Sequence, residues 1–134
     1  MVDQASGTDW ALVNGISGHV VDSAVAVHSA LGPGLLESTY QVCLAYELRK
    51  RGLGVLEQVA LPVVYDTQRL EIGYRIDLLV QNFVIVEVKS VEGIAPVHRA
   101  QLLSYLKLSG KPLGLLLNFN VLLMKDGIVR MRNG

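Results

Sequence analysis

Two apolar runs that flank one helical segment place the strongest constraint on the fold. Residues 83–90, FVIVEVKS, and residues 113–119, LGLLLNF, are rich in aliphatic side chains and are predicted to be buried strands. Between them, residues 96–109 carry apolar side chains at helical spacing and begin with a proline, which suits a first helical turn. A helix between two strands of one sheet implies a crossover. The segment therefore predicts a mixed sheet with helices on both faces.

The remaining elements are predicted from changes in the apolar period. One helix is expected from Ile16 to Leu31 and a second from about Leu35 to Lys50. Residues 55–90 are then expected to form three or four strands in an antiparallel meander, and residues 128–132 a last short strand. The predicted fold class is α/β, with a central mixed β-sheet flanked by helices.

Composition limits the class of protein and its partners. A chain of 134 residues suits a single domain, and its 51% apolar residues are enough for a core. We expect this domain to cover residues 15–134 and residues 1–14 to form a flexible tail. The formal net charge is zero, which excludes binding of nucleic acid through an overall basic field. The single cysteine, Cys43, cannot form an internal disulfide, and no apolar window reaches the length of a membrane span. We therefore expect a cytoplasmic protein with no membrane contact.

Three charged residues interrupt strands that otherwise look buried. Asp77 lies within RIDLLV, and Glu87 and Lys89 lie within VIVEVK. Burial of a charge is costly unless the charge is paired or binds a metal. Alternate residues of a strand point to the same face, so Glu87 and Lys89 share one face. The three residues together suggest one shared polar site.

The loop between these two strands decides whether Asp77 reaches that face. A two-residue loop at Gln81-Asn82 places Asp77 opposite Val86, so that it faces away from Glu87. A three-residue loop places Asp77 across from Glu87 or one diagonal step away. Asn82 tolerates the left-handed backbone conformation that such a loop needs. A shared site therefore requires the three-residue loop.

A pair of carboxylates with a nearby lysine has a specific chemistry. Two carboxylates held close together are hard oxygen ligands that suit Mg²⁺ or Mn²⁺ better than zinc. A lysine on the same face can stabilise a developing negative charge or position a water molecule. This combination is the apparatus of metal-assisted phosphodiester hydrolysis. A purely structural ion-pair cluster is the alternative explanation of the same residues.

The same residues carry a resemblance to a known family. Asp77 followed by Glu87-Val88-Lys89 resembles the signature of the PD-(D/E)XK nuclease superfamily, although Arg75-Ile76 stand where the superfamily's name has a proline. Residues 34–40, GLLESTY, resemble the motif of the GxxExxY family within that superfamily. The resemblance covers about residues 16 to 134. It implies a restriction-endonuclease-like core.

The resemblance also implies roles for five residues. Asp77 and Glu87 would ligate the metal, and Lys89 would orient the attacking water and stabilise the transition state. Glu37 matches an additional acidic residue that supports the metal site, although acids are favoured at the start of a helix in any case. Gln101 matches a polar residue that often follows the lysine motif.

Four further residues are candidate substrate contacts with ordinary structural alternatives. Arg75 lies two residues before Asp77 and is therefore expected to point to the same face of the strand. There it would contact phosphate or neutralise the carboxylates. Tyr40 is expected to pack in the core, with its hydroxyl toward the site. His98 and Tyr105 share a polar helix face with Gln101, and such a face is usually only solvated.

The function that these residues indicate is Mg²⁺- or Mn²⁺-dependent hydrolysis of phosphodiester bonds in DNA or RNA. The alternative is a non-catalytic module that binds nucleic acid or protein and keeps a nuclease-like metal site. The zero net charge favours weak binding of nucleic acid. A homodimer is the other partner that we consider.

Overall fold

The computed structural model describes residues 7–134, in which three helices cover the two faces of a five-stranded sheet. The helices are α1 (Trp10–Leu31), α2 (Glu37–Lys50) and α3 (Pro96–Ser109). The strands are β1 (Val55–Ala60), β2 (Val63–Tyr65), β3 (Gln68–Leu70), β4 (Arg75–Val80), β5 (Val84–Lys89), β6 (Leu113–Asn118) and β7 (Ile128–Arg132). A short 3₁₀ helix, Met124–Gly127, precedes β7.

The first helix begins at Trp10 and not at Ile16. Asp9 caps it, because the Asp9 carboxylate accepts a hydrogen bond of 3.1 Å from the backbone N–H of Leu12. Val13 is buried and continues the apolar stripe toward the N-terminus. Residues 10–14 are therefore helical, so the expectation of a flexible tail was wrong for them. Residues 1–6 of the expected tail lie outside the described residues.

The sheet is mixed, as predicted. Its strand order is β1-β4-β5-β6-β7, and β5 and β6 are parallel while the other neighbours are antiparallel. The parallel pair runs from Val84 opposite Leu113 to Lys89 opposite Asn118. Because parallel neighbours need a crossover connection, α3 joins them across one face of the sheet.

The predicted meander is only partly correct. β1 pairs directly with β4, with Val55 opposite Val80, while β2 and β3 form a separate two-stranded hairpin. Both hairpin strands have only three residues, and most of their side chains are exposed, including Tyr65 at 75%. The hairpin therefore lies outside the main sheet.

The core has one apolar cluster on each face of the sheet. α1 and α2 pack against one face, where Tyr40 and Phe119 lie fully buried. α3 packs against the other face through Leu102 and Leu106. β5 and β6 are covered on both sides, which explains why nearly every residue in them is buried. None of the helices in the described part of the chain is long and apolar enough to span a membrane.

Candidate active site

The hairpin between β4 and β5 has the loop that a shared site requires. The strand pairing leaves residues 81–83 as a three-residue loop. Asn82 adopts the expected left-handed conformation, with φ at 62°, and its neighbour Gln81 does so as well. The resulting register places Asp77 across from Glu87, so the parity predicted for a shared site is present.

At Asp77 and Glu87, side-chain carboxylates accept the hydrogen bonds that backbone carbonyls accept elsewhere between β4 and β5. The backbone N–H of Asp77 donates to Glu87 Oε2 at 2.8 Å. The backbone N–H of Val88 donates to Asp77 Oδ2 at 2.9 Å. Each side chain therefore satisfies a main-chain donor of the opposite strand. These two hydrogen bonds hold both carboxylates at one position between β4 and β5.

Burial raises the pKa of both carboxyl groups, and the charge of Asp77 adds to the effect on Glu87. Glu87 is only 4% exposed, and its burial, followed by the charge of Asp77, raises its pKa from 4.5 to about 8. Burial also raises the pKa of Asp77, although the hydrogen bond from the Val88 N–H opposes that shift. A buried and a partly buried carboxyl group, both with raised pKa values, form a site that a cation would stabilise in its charged form.

Lys89 supplies a positive charge beside these carboxyl groups. Against the effect of burial, its ammonium lowers the pKa of both Asp77 and Glu87, so it lies close to them. In the chain from residue 7 onward, however, Lys89 forms no ion pair within 4.0 Å. The ammonium therefore stays available to a water molecule or an anionic group.

Glu37 connects the start of α2 to the chain that follows Lys89. Glu37 Oε2 accepts a hydrogen bond of 3.2 Å from the backbone N–H of Ser90, and Ser90 Oγ donates to the carbonyl of Leu35 at 2.7 Å. The charge of Glu37 adds to the effect of burial on the pKa of Asp77 and Glu87. The fold thus brings Glu37 near the other three charged residues, from a sequence distance of 40 residues or more.

Gln58 belongs to the site, although the sequence pattern did not indicate it. Its amide nitrogen donates to Gln41 Oε1 at 3.0 Å and to Asp77 Oδ1 at 3.3 Å, which connects β1, α2 and β4. Its φ of 52° is rare for a residue other than glycine, and such strain within a strand often marks a functional site. A glutamine in a half-exposed strand carries no signal that could have revealed this role.

Asn118 fixes the backbone just after Lys89. Its amide nitrogen donates to the carbonyl of Val91 at 2.9 Å, and its amide oxygen accepts from the N–H of Val91 at 3.1 Å. The N–H of Phe119 also donates to the carbonyl of Lys89 at 2.9 Å. Asn118 is 2% exposed. The end of β6 thereby holds the segment that carries the lysine.

Two of the candidate substrate contacts have structural partners. Tyr40 is fully buried, stacks on Phe119 at 4.6 Å between ring centroids, and donates its hydroxyl hydrogen to the carbonyl of Gly32. Its side chain therefore packs in the core, and its hydroxyl is directed to the loop before α2. His98 Nδ1 accepts a hydrogen bond of 3.0 Å from the N–H of Ala95, so this side chain caps the start of α3.

Of the other candidates, Arg75 lies on β4, and Gln101 and Tyr105 lie on α3. Arg75 is exposed at the start of β4, two residues before Asp77. Tyr105 is 6% exposed, and burial followed by the charges of Glu87 and Asp77 raises its pKa, so its hydroxyl is close enough to feel both carboxylates. Gln101, one helical turn earlier, lines the same cavity as Tyr105.

The donor set fits a hard divalent cation, although it is small. No group of three or more His, Cys, Asp and Glu side chains is close enough to hold a metal ion among residues 7–134. Mg²⁺ commonly binds through one or two carboxylates and completes its coordination with waters and substrate phosphates. Asp77 and Glu87 match that requirement, and burial raises the pKa of both carboxyl groups.

Comparison with known proteins identifies the family of this chain. The searches of curated proteins and of solved structures each gave no match. The family model described as the PD-(D/E)XK nuclease superfamily matches residues 14–131, a segment that contains all seven strands except the last residue of β7. The mixed sheet and the covering helices are consistent with its restriction-endonuclease-like core. This chain therefore belongs to the PD-(D/E)XK nuclease superfamily.

Proposed function

We propose that this protein is a divalent-metal-dependent nuclease of the GxxExxY type, which hydrolyses phosphodiester bonds in DNA or RNA. The observation that carries the proposal is the register of the β4–β5 hairpin. It places the Glu87 carboxylate against the N–H of Asp77 and the Asp77 carboxylate against the N–H of Val88, with Lys89 two residues after Glu87 on the same strand. Membership of a nuclease superfamily supports the same conclusion.

In this proposal each charged residue has a separate task. Asp77 and Glu87 hold Mg²⁺ or Mn²⁺, which when bound supplies Lewis acidity toward a phosphate oxygen. Lys89 orients a water molecule and stabilises the negative charge that develops as water adds to phosphorus and a P–O ester bond breaks. Glu37 adds negative charge to the metal site from the start of α2, and Gln101 assists from α3.

The decisive experiment is a cleavage assay on labelled single- and double-stranded DNA and RNA, with and without Mg²⁺ or Mn²⁺. Wild type would be compared with Asp77→Asn, with Lys89→Ala and with Lys107→Ala. Lys107 is an exposed lysine on α3 and serves as the matched control. The proposal predicts metal-dependent cleavage in wild type and Lys107→Ala, and its loss in the other two variants.

The alternative of a binding module has a distinct result in the same experiment. The nuclease proposal would be contradicted if the wild type binds Mn²⁺ but cleaves none of the substrates. Loss of Mn²⁺ binding in Asp77→Asn would then support a metal-binding module. The zero net charge makes such a weak binder chemically reasonable. Cleavage that persists in Lys89→Ala would instead remove the role proposed for the lysine.

A further inference from the structure

A cavity of about 300 Å³ lies between α3 and the base of the β2–β3 hairpin. Its walls come from the end of the hairpin segment and from one face of α3, and the lining residues are Val63, Tyr74, Gln101, Ser104, Tyr105 and Leu108. The volume is at the lower end of the range for small-ligand sites. The mixture of apolar, aromatic and polar side chains is also typical of such sites.

The polar side chains of this cavity have no hydrogen-bond partners among residues 7–134. The Tyr74 and Tyr105 hydroxyls, the Gln101 amide and the Ser104 hydroxyl form no hydrogen bond with any residue in the range 7–134. Four polar side chains that line one cavity without hydrogen-bonding one another are therefore available to a ligand.

The cavity also has an aromatic surface. The rings of Tyr74 and Tyr105 meet edge to face, with centroids 6.3 Å apart and an angle of 67° between the planes. Tyr74 is 46% exposed, so part of its ring is free to stack on a planar ligand. Base–aromatic stacking is a common source of affinity for unpaired nucleotides.

The position of the cavity links it to the candidate active site. Tyr105 packs in the same cluster as Ile76, which precedes Asp77, and Ile85, which lies two residues before Glu87. Tyr74 lies three residues before Asp77 along the chain that enters β4. The influence of both carboxylate charges on Tyr105 agrees with this proximity.

We propose that this cavity binds one unpaired nucleobase next to the phosphate that is cleaved. The inference rests on the proposed function and narrows its substrate class to single-stranded nucleic acid, or to duplexes from which a base has been extruded. A paired base inside a duplex is stacked on both sides and cannot enter a cavity of this kind. Tyr74 supplies the stacking surface, and Gln101, Ser104 and Tyr105 supply hydrogen bonds to the base edge.

The test measures binding, so it does not depend on cleavage. A fluorescein-labelled single-stranded oligonucleotide of roughly 12 nucleotides, as DNA and as RNA, and the corresponding blunt duplexes are titrated with protein in EDTA. Fluorescence anisotropy then gives Kd for wild type, Tyr74→Ala, Ser104→Leu and Tyr46→Ala. Ser104 is exposed, so leucine fills the cavity without altering the core, and Tyr46 is an exposed tyrosine on α2, on the opposite face of the sheet.

Wild type is expected to bind the single strands more tightly than the duplexes. Tyr74→Ala should raise Kd for the single strands by roughly 5- to 150-fold, the usual effect of losing one stacked base. Ser104→Leu should raise it as well, while Tyr46→Ala should leave it unchanged. No effect of Tyr74→Ala and Ser104→Leu, an equal effect on duplexes, or no binding of any oligonucleotide would overturn the proposal.

The binding and cleavage results together separate the two proposals. If both cavity variants lose single-strand binding and the wild type cleaves no substrate, the base site is supported and the nuclease function is rejected. Metal-dependent cleavage in a protein whose binding is unaffected by both cavity variants would keep the nuclease function and remove the base site.

Discussion

At the scale of single residues, the site depends on charges held against their normal preference for water. Asp77 and Glu87 are fixed by two short main-chain hydrogen bonds, while the nearby Lys89 ammonium has no carboxylate partner within ion-pair distance in the described chain. A stable structural cluster would pair that lysine with one of the carboxylates. An unpaired lysine beside two repelling carboxyl groups favours a catalytic role over a purely structural one.

The first prediction at this scale concerns Lys89. Lys89→Ala should lower kcat by about 10²- to 10³-fold, because a preorganised charge near the phosphate is lost. Mn²⁺ binding, measured by calorimetry, should remain, since the proposed metal ligands are unchanged. Lys107→Ala should retain full activity. Retention of activity in Lys89→Ala would contradict the assignment.

The second prediction concerns the pH dependence of stability in metal-free protein. The pKa of Glu87 rises from 4.5 in an unfolded chain to about 8 in the fold, so the folded state binds more protons between these values. The free energy of unfolding should therefore fall as pH rises from about 4.5 to about 8, by an amount on the order of a few kcal/mol. Urea denaturation in EDTA at a series of pH values measures this slope.

The matched variant for the pH experiment is Glu87→Gln. Glutamine keeps an oxygen acceptor for the Asp77 N–H but cannot ionise. Most of the loss of stability with pH should disappear in this variant, leaving the smaller contribution of Asp77 in the same direction. A wild-type protein that becomes more stable over this pH range would show that Glu87 is not buried in its neutral form.

At the scale of elements, the site depends on how tightly separate segments approach each other. The 3₁₀ helix before β7 crosses the end of β6, where Asn118 holds the segment after Lys89. A Cβ placed on Gly127 would clash with the carbonyl oxygen of Asn118. Because that oxygen belongs to the backbone, it cannot rotate away as a side chain would.

The third prediction follows from this contact. Gly127→Ala should lower the free energy of unfolding by about 1–3 kcal/mol, because the backbone near Asn118 must shift. Gly18→Ala is the control: Gly18 is exposed inside α1, and its Cβ would meet nothing within 4 Å. That variant should raise stability by about 0.5–1 kcal/mol. Urea denaturation measures both, and equal effects in the two variants would contradict the packing of the 3₁₀ helix on β6.

At the scale of the whole molecule, the balance of charge limits how the protein finds nucleic acid. Twelve basic and twelve acidic residues leave no net field to attract a polyanion. Affinity must then come from a few local contacts, such as Lys89, the exposed Arg75 and the proposed base site on α3. A protein of this kind is not expected to bind long duplexes tightly or to move along them.

The fourth prediction tests this charge balance. A plot of log K for a single-stranded oligonucleotide against log salt concentration should have a shallow slope, about −2 or less in magnitude, because roughly three or fewer phosphates are neutralised. Anisotropy titrations at several NaCl concentrations give the slope. A slope steeper than about −6 would indicate an extensive basic surface.

Local patterns in the sequence determined the elements and the identity of the charged site. The period of apolar residues placed α3 at residues 96–109, and the helix between two apolar strands predicted the mixed sheet. Asp77, Glu87 and Lys89 stood out because charges are unusual in such strands. The predictions of α3 and of the mixed sheet were confirmed because they depend on neighbours along the chain, whose spacing is visible in one dimension.

Only the tertiary structure decided the features that depend on distant neighbours. The sequence allowed two loop lengths between β4 and β5, and the fold selected the three-residue loop that joins the carboxylates. The separate β2–β3 hairpin, the strained Gln58 and the raised pKa of Glu87 were equally hidden. Strand partners, hydrogen bonds to remote residues and desolvation all depend on which segments meet in space. That information is absent from the order of the residues until the chain has packed.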